Sequence, residues 1–221
     1  METREGVGRV AVASRDIPCH QVVVEDEPVG VSPTQDSPLA CLTCFTVLTA
    51  DTGVECQCGF RMCSTDCSQD SRHQPEHNLF VAAASRSRGR QDFPLVMPVR
   101  LLAVLDSASR ELEDRLGRLM DHREDRRSSR AEWEAVTSSV VQPIVRLGQA
   151  GGKDWTEEQV QRCLGITRIN GVSCSARISG DSGDSDQGEV RMLYPGMSVF
   201  SHSCSPNTQA GRPPPAQALV R

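Results

Sequence analysis

The order of apolar and polar positions divides the chain into stretches of different character. In 1–35, Val7, Val10 and Val12 make one short apolar run and 22–24 a second, with Asp16, Ile17 and Pro18 as a turn between them, which predicts β-strands. From 81 to 166 the period becomes helical. Leu101, Leu105, Ala108, Leu112, Leu116 and Leu119 step by 4, 3, 4, 4 and 3, the apolar face of one helix. Trp133, Val136, Val140, Ile144 and Leu147 repeat the pattern, and Pro143, which has no N–H, is expected to kink or split that second helix. Thr156 with Gln159 three residues on is the start signal of a third, shorter helix. From 167 to 221 β character returns, interrupted by the Ser/Asp/Gly tract at 179–188. Neither strand set has enough apolar surface for a core of its own, so the two are expected to pack together in an α+β fold.

Composition narrows the function classes. With 24 basic and 29 acidic residues the net charge is −5, which predicts no direct nucleic-acid partner, because phosphate binding needs basic surface. Apolar runs reach about five residues, as at 80–84, far short of the about 20 that span a bilayer, so no membrane association is expected. The opening residues lack a cationic segment followed by an apolar one, which predicts no secretory signal and a nuclear and/or cytoplasmic location. Thiols stay reduced there, and ten cysteines then point to metal rather than disulfides. The stretch 100–134 interleaves eight arginines and nine acids, which reads as a solvated helix face laced with i,i+4 pairs.

The strongest chemical signal lies between 41 and 77. Cys41-x2-Cys44-x11-Cys56-x1-Cys58-x4-Cys63-x3-Cys67-x5-His73-x3-His77 packs eight zinc-competent side chains into 37 residues. A closed structural zinc site takes four, so eight imply two ions. Cys63 and Cys67, and His73 and His77, are spaced to share one face of a helical turn. With few apolar side chains here, the metal is expected to supply folding energy. Two arginines against five acids in this segment argue for a scaffold or protein-contact role rather than DNA binding. Cys19, Cys163 and Cys174 read as ordinary buried thiols.

The segment resembles a MYND zinc finger, in which ligands alternate between two zincs. That resemblance implies one ion on Cys41, Cys44, Cys63 and Cys67, and a second on Cys56, Cys58, His73 and His77. Two departures are the single-residue spacing of Cys56 and Cys58, which is expected to weaken or distort the second site, and His77 in place of a final cysteine.

The flanks resemble a SET domain. Gly6-Val7-Gly8-Arg9-Val10, Ser14-Arg15-Asp16-Ile17 and Glu25-Asp26-Glu27-Pro28 are similar to its opening strands. Ser201-His202-Ser203-Cys204-Ser205-Pro206-Asn207 is similar to its Asn-His-Ser-Cys-x-Pro-Asn motif. A SET domain split by a MYND finger and a helical insert is the layout of the SET and MYND domain-containing protein methyltransferases. Leu193-Tyr194-Pro195 and Ile169-Asn170-Gly171 are closest to the arthropod-type branch. The resemblance implies SET at 1–35, MYND at 36–80, a helical insert at 81–166 and the SET core at 167–221. It also implies a protein-lysine methyltransferase that uses S-adenosylmethionine, with Gly6, Gly8, Arg9, Asn170, Ser201 and His202 as cofactor residues and a protein-lysine substrate.

Ser201 stands where the family has asparagine, so cofactor binding is expected to weaken. The family's catalytic tyrosine and post-SET cysteines follow the motif, whereas this chain ends at Arg221, its one tyrosine, Tyr194, precedes the motif, and no cysteine follows Cys204 to share a third zinc. The 221 residues are therefore expected to be catalytically incomplete, with no catalytic residue assigned. The alternative is a non-catalytic zinc-finger scaffold that binds protein partners. Gly180-Asp181-Ser182-Gly183 spells a serine-protease nucleophile motif, but it sits in a loop-like tract without partner residues in a plausible context. The same tract fails the calcium-loop pattern, with Gly188 at a ligand position.

Overall fold

The structure, a computed structural model, describes residues 2–4, 8–49, 51–83, 87–176 and 188–208. Gly6, Val7 and residues 179–187 of the Ser/Asp/Gly tract lie outside the described residues. The chain divides into two compact units, Met1–Val23 with Val199–Arg221, and Val24–Ser198.

In the smaller unit β1 (Glu2–Arg4) and β2 (Gly8–Val10) form an antiparallel hairpin with Thr3 opposite Arg9. The Ala11 amide donates to the Val199 carbonyl at 2.9 Å and ties in the C-terminal segment. The predicted strand at 22–24 is not formed, and Val22, Val23 and Val24 are exposed. Three consecutive valines offer no alternation of faces, and this run has no ladder partner among the described residues. The turn falls at 18–21, closed by Gln21 N–H to Pro18 O at 3.2 Å with His20 at φ 65°, rather than at 16–18. Cys19 sits on that turn and is exposed, not buried as expected.

The larger unit begins with β3 (Gly30–Pro33). A finger region follows, with a short hairpin of β4 (Val54–Glu55) and β5 (Arg61–Met62), then α1 (Thr65–Gln69) and α2 (Gln74–Ala82). Six helices come next: α3 (Phe93–Ser107), α4 (Arg110–Gly117), α5 (Arg123–Ser128), α6 (Arg130–Val136), α7 (Gln142–Ala150) and α8 (Glu157–Asn170). The unit closes with β6 (Gly171–Ala176) and β7 (Gly188–Leu193). The order β3-β7-β6 is antiparallel throughout, with Gly30 opposite Leu193 and Val172 opposite Met192. One strand of the 1–35 region, β3, thus shares a sheet with the two strands of the 167–221 region, as expected, whereas β1 and β2 form a separate hairpin.

The helices follow their signals with two corrections. Thr156 accepts from the Gln159 amide at 3.2 Å while Gln159 Oε1 accepts from the Thr156 amide at 2.8 Å, the reciprocal cap expected; the helix it starts is 14 residues long, not short. Pro143 lies in the first turn of α7, and a π-turn at Thr137–Val141 separates α6 from α7, so the second helix is split as expected. The single helix through 101–119 is instead two. Ala108 is extended (ψ 148°), and Ser109 restarts the helix by accepting from the Leu112 amide at 3.3 Å. A serine hydroxyl offers the backbone a cap in place of continuation, while Leu116 and Leu119 remain buried on the far side of the break. Among the arginine pairs, Arg130–Glu134 is the i,i+4 pair expected, but Arg123–Glu158 and Arg168–Glu132 join different helices.

One hydrophobic core runs through the finger and the helices. Leu42, Phe60, Met62 and Phe80 join Phe93, Val96 and Val99 of α3, Ile144 of α7, Val160 and Ile166 of α8, and Leu193 of β7. Phe60 meets Phe80 edge-on at 5.2 Å and stacks with Phe93 at 6.3 Å, so the aromatics bridge the two regions. Asp106 in the last turn of α3 pairs with Lys153 at 2.7 Å and accepts from the Trp155 indole at 3.2 Å, pinning the loop before α8. No helix among the described residues is long and apolar enough to cross a membrane.

Gly165 lets the Asp121 loop lie against α8. A Cβ there would stand 2.5 Å from the Asp121 carbonyl oxygen and 2.6 Å from its Cβ. Helix propensity alone favours Gly165→Ala by about 1 kcal/mol. Overpacking of about 1–3 kcal/mol reverses that sign. A lower midpoint for Gly165→Ala in thermal or urea denaturation is the expected outcome.

Candidate metal centre

Local backbone chemistry delivers each ligand pair. Cys41 and Cys44 lie on a tight turn in which Phe45 N–H donates to Cys41 O at 2.9 Å and Cys41 N–H to Thr46 O at 2.9 Å. Phe45 adopts φ 62°, a left-handed conformation that non-glycine residues seldom take and that marks a constrained turn. Ser64 caps α1 by accepting from the Cys67 amide at 3.2 Å, which sets Cys67 one turn beyond Cys63. Thr43 Oγ1 donates to Cys67 O at 2.8 Å and joins the two pairs. These four sulfurs form one cluster, with Cys44 Sγ and Cys63 Sγ 3.4 Å apart.

The second cluster joins the β4–β5 turn to α2. Cys56 N–H donates to Phe60 O at 3.0 Å and Gly59 N–H to Cys56 O at 2.9 Å, with Gly59 at φ 90°. Glycine takes this conformation without steric penalty, so the shortened Cys56-x1-Cys58 spacing still brings both sulfurs to one side. His73 stands at the N-cap position of α2 and His77 follows one turn later, its amide donating to His73 O at 3.0 Å. His73 Nε2 lies 3.6 Å from Cys56 Sγ and 3.5 Å from Cys58 Sγ, and His77 Nδ1 lies 3.2 Å from Cys56 Sγ. Arg88 Nε donates to Cys58 O at 3.1 Å, and its guanidinium lies over the Phe80 ring at 4.4 Å, which fastens the turn to α2.

In both clusters the four ligand atoms lie within 4.8 Å of one another. Tetrahedral zinc with Zn–S of about 2.3 Å sets its sulfurs about 3.8 Å apart, so both arrangements fit that ion. The donor sets, four thiols and two thiols with two imidazoles, are those of closed structural zinc sites, and every ligand comes from the chain. The structure therefore holds two Cys/His clusters that could each bind one zinc ion.

The thiols differ in how readily they give up the proton that metal loading displaces. Cys44 and Cys41 share a hydrogen bond that raises the Cys41 pKa and lowers that of Cys44 to about 4. Backbone N–H groups of Cys44, Cys63 and Thr43 also bond to Cys41 and favour its thiolate. Burial pushes Cys58 up to about 12 and Cys67 up to about 11. Burial also lowers His77, favouring the neutral imidazole that ligates metal.

Spacing alone did not reveal the support behind His73. Its Nδ1 donates to Glu76 Oε1 at 2.9 Å, which turns Nε2 toward the sulfurs. Glu76 is fully buried and pairs with Arg100 of α3. Burial acts to raise the Glu76 pKa, but the Arg100 charge and the His73 and Arg100 hydrogen bonds outweigh it and hold the carboxyl below its ordinary value. Two signals were present in the sequence: Glu76 sits three residues after His73, on the same helix face, and Arg100 interrupts the apolar run Val96 to Leu102.

The remaining candidate residues divide between the two units. Gly8 and Arg9 lie on β2 of the smaller unit, with Arg9 exposed. Ser201 and His202 are exposed in its C-terminal segment, where His202 Nε2 lies 3.3 Å from Cys204 Sγ. Asn170 ends α8 in the larger unit and donates its amide hydrogens to Met120 O at 2.8 Å and Ile166 O at 2.9 Å. Tyr194 is half-buried, with its hydroxyl on Met192 Sδ at 3.3 Å. Compared with protein-family models and with curated proteins, the chain matches none.

Metal analysis of the purified chain is expected to return two zinc ions, with chelation unfolding the 41–77 region in circular dichroism. Cys63→Ser removes one of four thiolates and is expected to leave one zinc and an unfolded first cluster. The Cys58 thiol, at about 12, must lose its proton to bind. Loading of the second cluster is therefore expected to strengthen at least tenfold for each unit of pH between about 6 and 8, because at least one proton leaves per ion. Chelator competition at fixed pH values measures this slope.

Proposed function

We propose that this chain is a two-zinc, MYND-type module mounted on a helical and sheet platform, working as a non-catalytic scaffold for protein partners. The observation that carries the reading is the pair of closed Cys/His clusters. Four protein ligands each leave no coordination position for substrate or water, which suits architecture rather than metal catalysis. A protein rather than a nucleic acid fits as partner, since the finger segment carries two arginines against five acids.

A second reading is the one that the sequence resemblance implies: a SET-type methyltransferase acting on protein lysines with S-adenosylmethionine. It is favoured by the β3–β7 ladder, which joins strands from either side of the finger and helices as a split SET sheet requires. Weighing against it, both amide hydrogens of Asn170 are spent on main-chain carbonyls, and serine stands at 201. A lost hydrogen bond to a charged ligand costs about 1.5–3 kcal/mol, roughly 10- to 150-fold in affinity.

Calorimetric titration with S-adenosylmethionine and a radiolabelled methyl-transfer assay on mixed proteins separate the two readings. The scaffold reading expects two bound zincs with neither turnover nor micromolar cofactor binding. Robust methyl transfer favours the second.

A further inference from the structure

Arg100 lies in the middle of α3, its side chain 10% exposed, among Val96, Val99, Leu101 and Leu102. A guanidinium buried there needs acceptors, and it draws them from three separate segments. Nη1 donates to the Val31 carbonyl on β3. Nη2 donates at 2.7 Å to the Leu42 carbonyl, which sits between the first-cluster ligands Cys41 and Cys44. Nη2 also pairs with Glu76 Oε1, the oxygen that receives the His73 proton behind the second cluster. One cation therefore touches the turn that shapes the first cluster, the carboxylate that orients a ligand of the second, and the sheet.

Resting on the two-zinc reading above, we infer that Arg100 couples the clusters, so that the two ions load as one event rather than independently. When either cluster is empty, Leu42 or Glu76 loses the position its ligands impose. The Arg100 fork then loses an acceptor in a place that is largely shielded from water. Breaking a buried charge pair is strongly unfavourable, and the cost falls on the other cluster through the same guanidinium. Arg100 acts through Leu42 and Glu76 and touches no ligand atom, so it is a positioning residue. Outer-sphere partners of this kind change metal affinity 10- to 100-fold when removed. The interleaved ligand order also links the clusters, and the test must separate that linkage from the one through Arg100.

Native mass spectrometry of the full chain, stripped of metal and titrated with zinc, counts the zero-, one- and two-zinc forms. For the unaltered chain the one-zinc form is expected to stay below the binomial level of independent sites. Arg100→Met keeps the apolar stem and Glu76→Gln keeps an acceptor. Both are expected to raise the one-zinc form toward that level, with second-cluster affinity 10- to 100-fold lower. Gly165→Ala lowers stability away from Arg100 and is expected to leave the distribution cooperative, which a merely structural role for Arg100 does not explain. Arg100→Lys, which retains the charge without the fork, serves if Arg100→Met does not fold. Two zincs loading independently in the unaltered chain overturn the inference alone, as does undiminished cooperativity in both Glu76→Gln and an arginine variant that folds. Absence of bound zinc overturns it together with the two-zinc reading.

Discussion

A guanidinium cannot rest in an apolar core without acceptors, and the way this chain supplies them to Arg100 organises the larger unit. Its partners come from positions 31, 42 and 76, on a strand, a cysteine turn and a helix start, while Arg100 itself belongs to the most deeply buried helix. Apolar packing already brings the cysteine turn and α2 against α3, with Leu42 and Phe80 in one core with Val96 and Val99. The cation gives them a common point and fixes their register, because a fork of fixed geometry accepts few arrangements. Its charge is balanced by Glu76, whose Oε1 also accepts the hydrogen bond from His73. The network has the weakness of all buried ionic groups: its members are stable together and costly apart.

Apolar burial and the two Cys/His clusters both shape the finger. Its composition reads as too polar to fold without zinc, yet Phe60, Met62 and Phe80 are essentially inaccessible and pack into the same cluster as Phe93 and Val96. The finger is anchored from below by aromatic packing and shaped from above by cysteine and histidine. Arg88 draws on both, with its ring contact to Phe80 and its hydrogen bond to Cys58.

How legible each part was follows from how local its physics is. The cysteine and histidine spacing was readable because the ligands of each pair lie within one turn, and the structure gathers the same eight side chains into two clusters. The Thr156 cap and the Pro143 break were readable for the same reason, each being decided within four residues. What escaped was decided at a distance. β3 has a serine, a proline and a glycine among its four residues, and only β7 makes it a strand, whereas the more apolar run at 22–24 finds no ladder. Arg100 was hidden among eight arginines whose neighbours are mostly acidic, although its own neighbours are valine, leucine and methionine. The helix break at Ser109 lost to an apolar periodicity that continues across it, because spacing records which side chains face inward and not whether the backbone between them is continuous.

The sheet also carries a consequence for the birth of the molecule. Gly30 pairs with Leu193, so β3 leaves the ribosome long before its ladder neighbour β7 exists. At roughly 5–20 residues per second the wait is on the order of 10–30 s, during which its hydrogen-bonding edge has no native partner. Everything synthesised in that interval, the cysteine turns, the histidine helix and α3 with its arginine, can assemble first. Once α3 is in place, Arg100 holds the Val31 carbonyl, and the early strand is kept in a fixed attitude until the last strand arrives. A strand so held is an ordered template rather than an unprotected edge open to other chains.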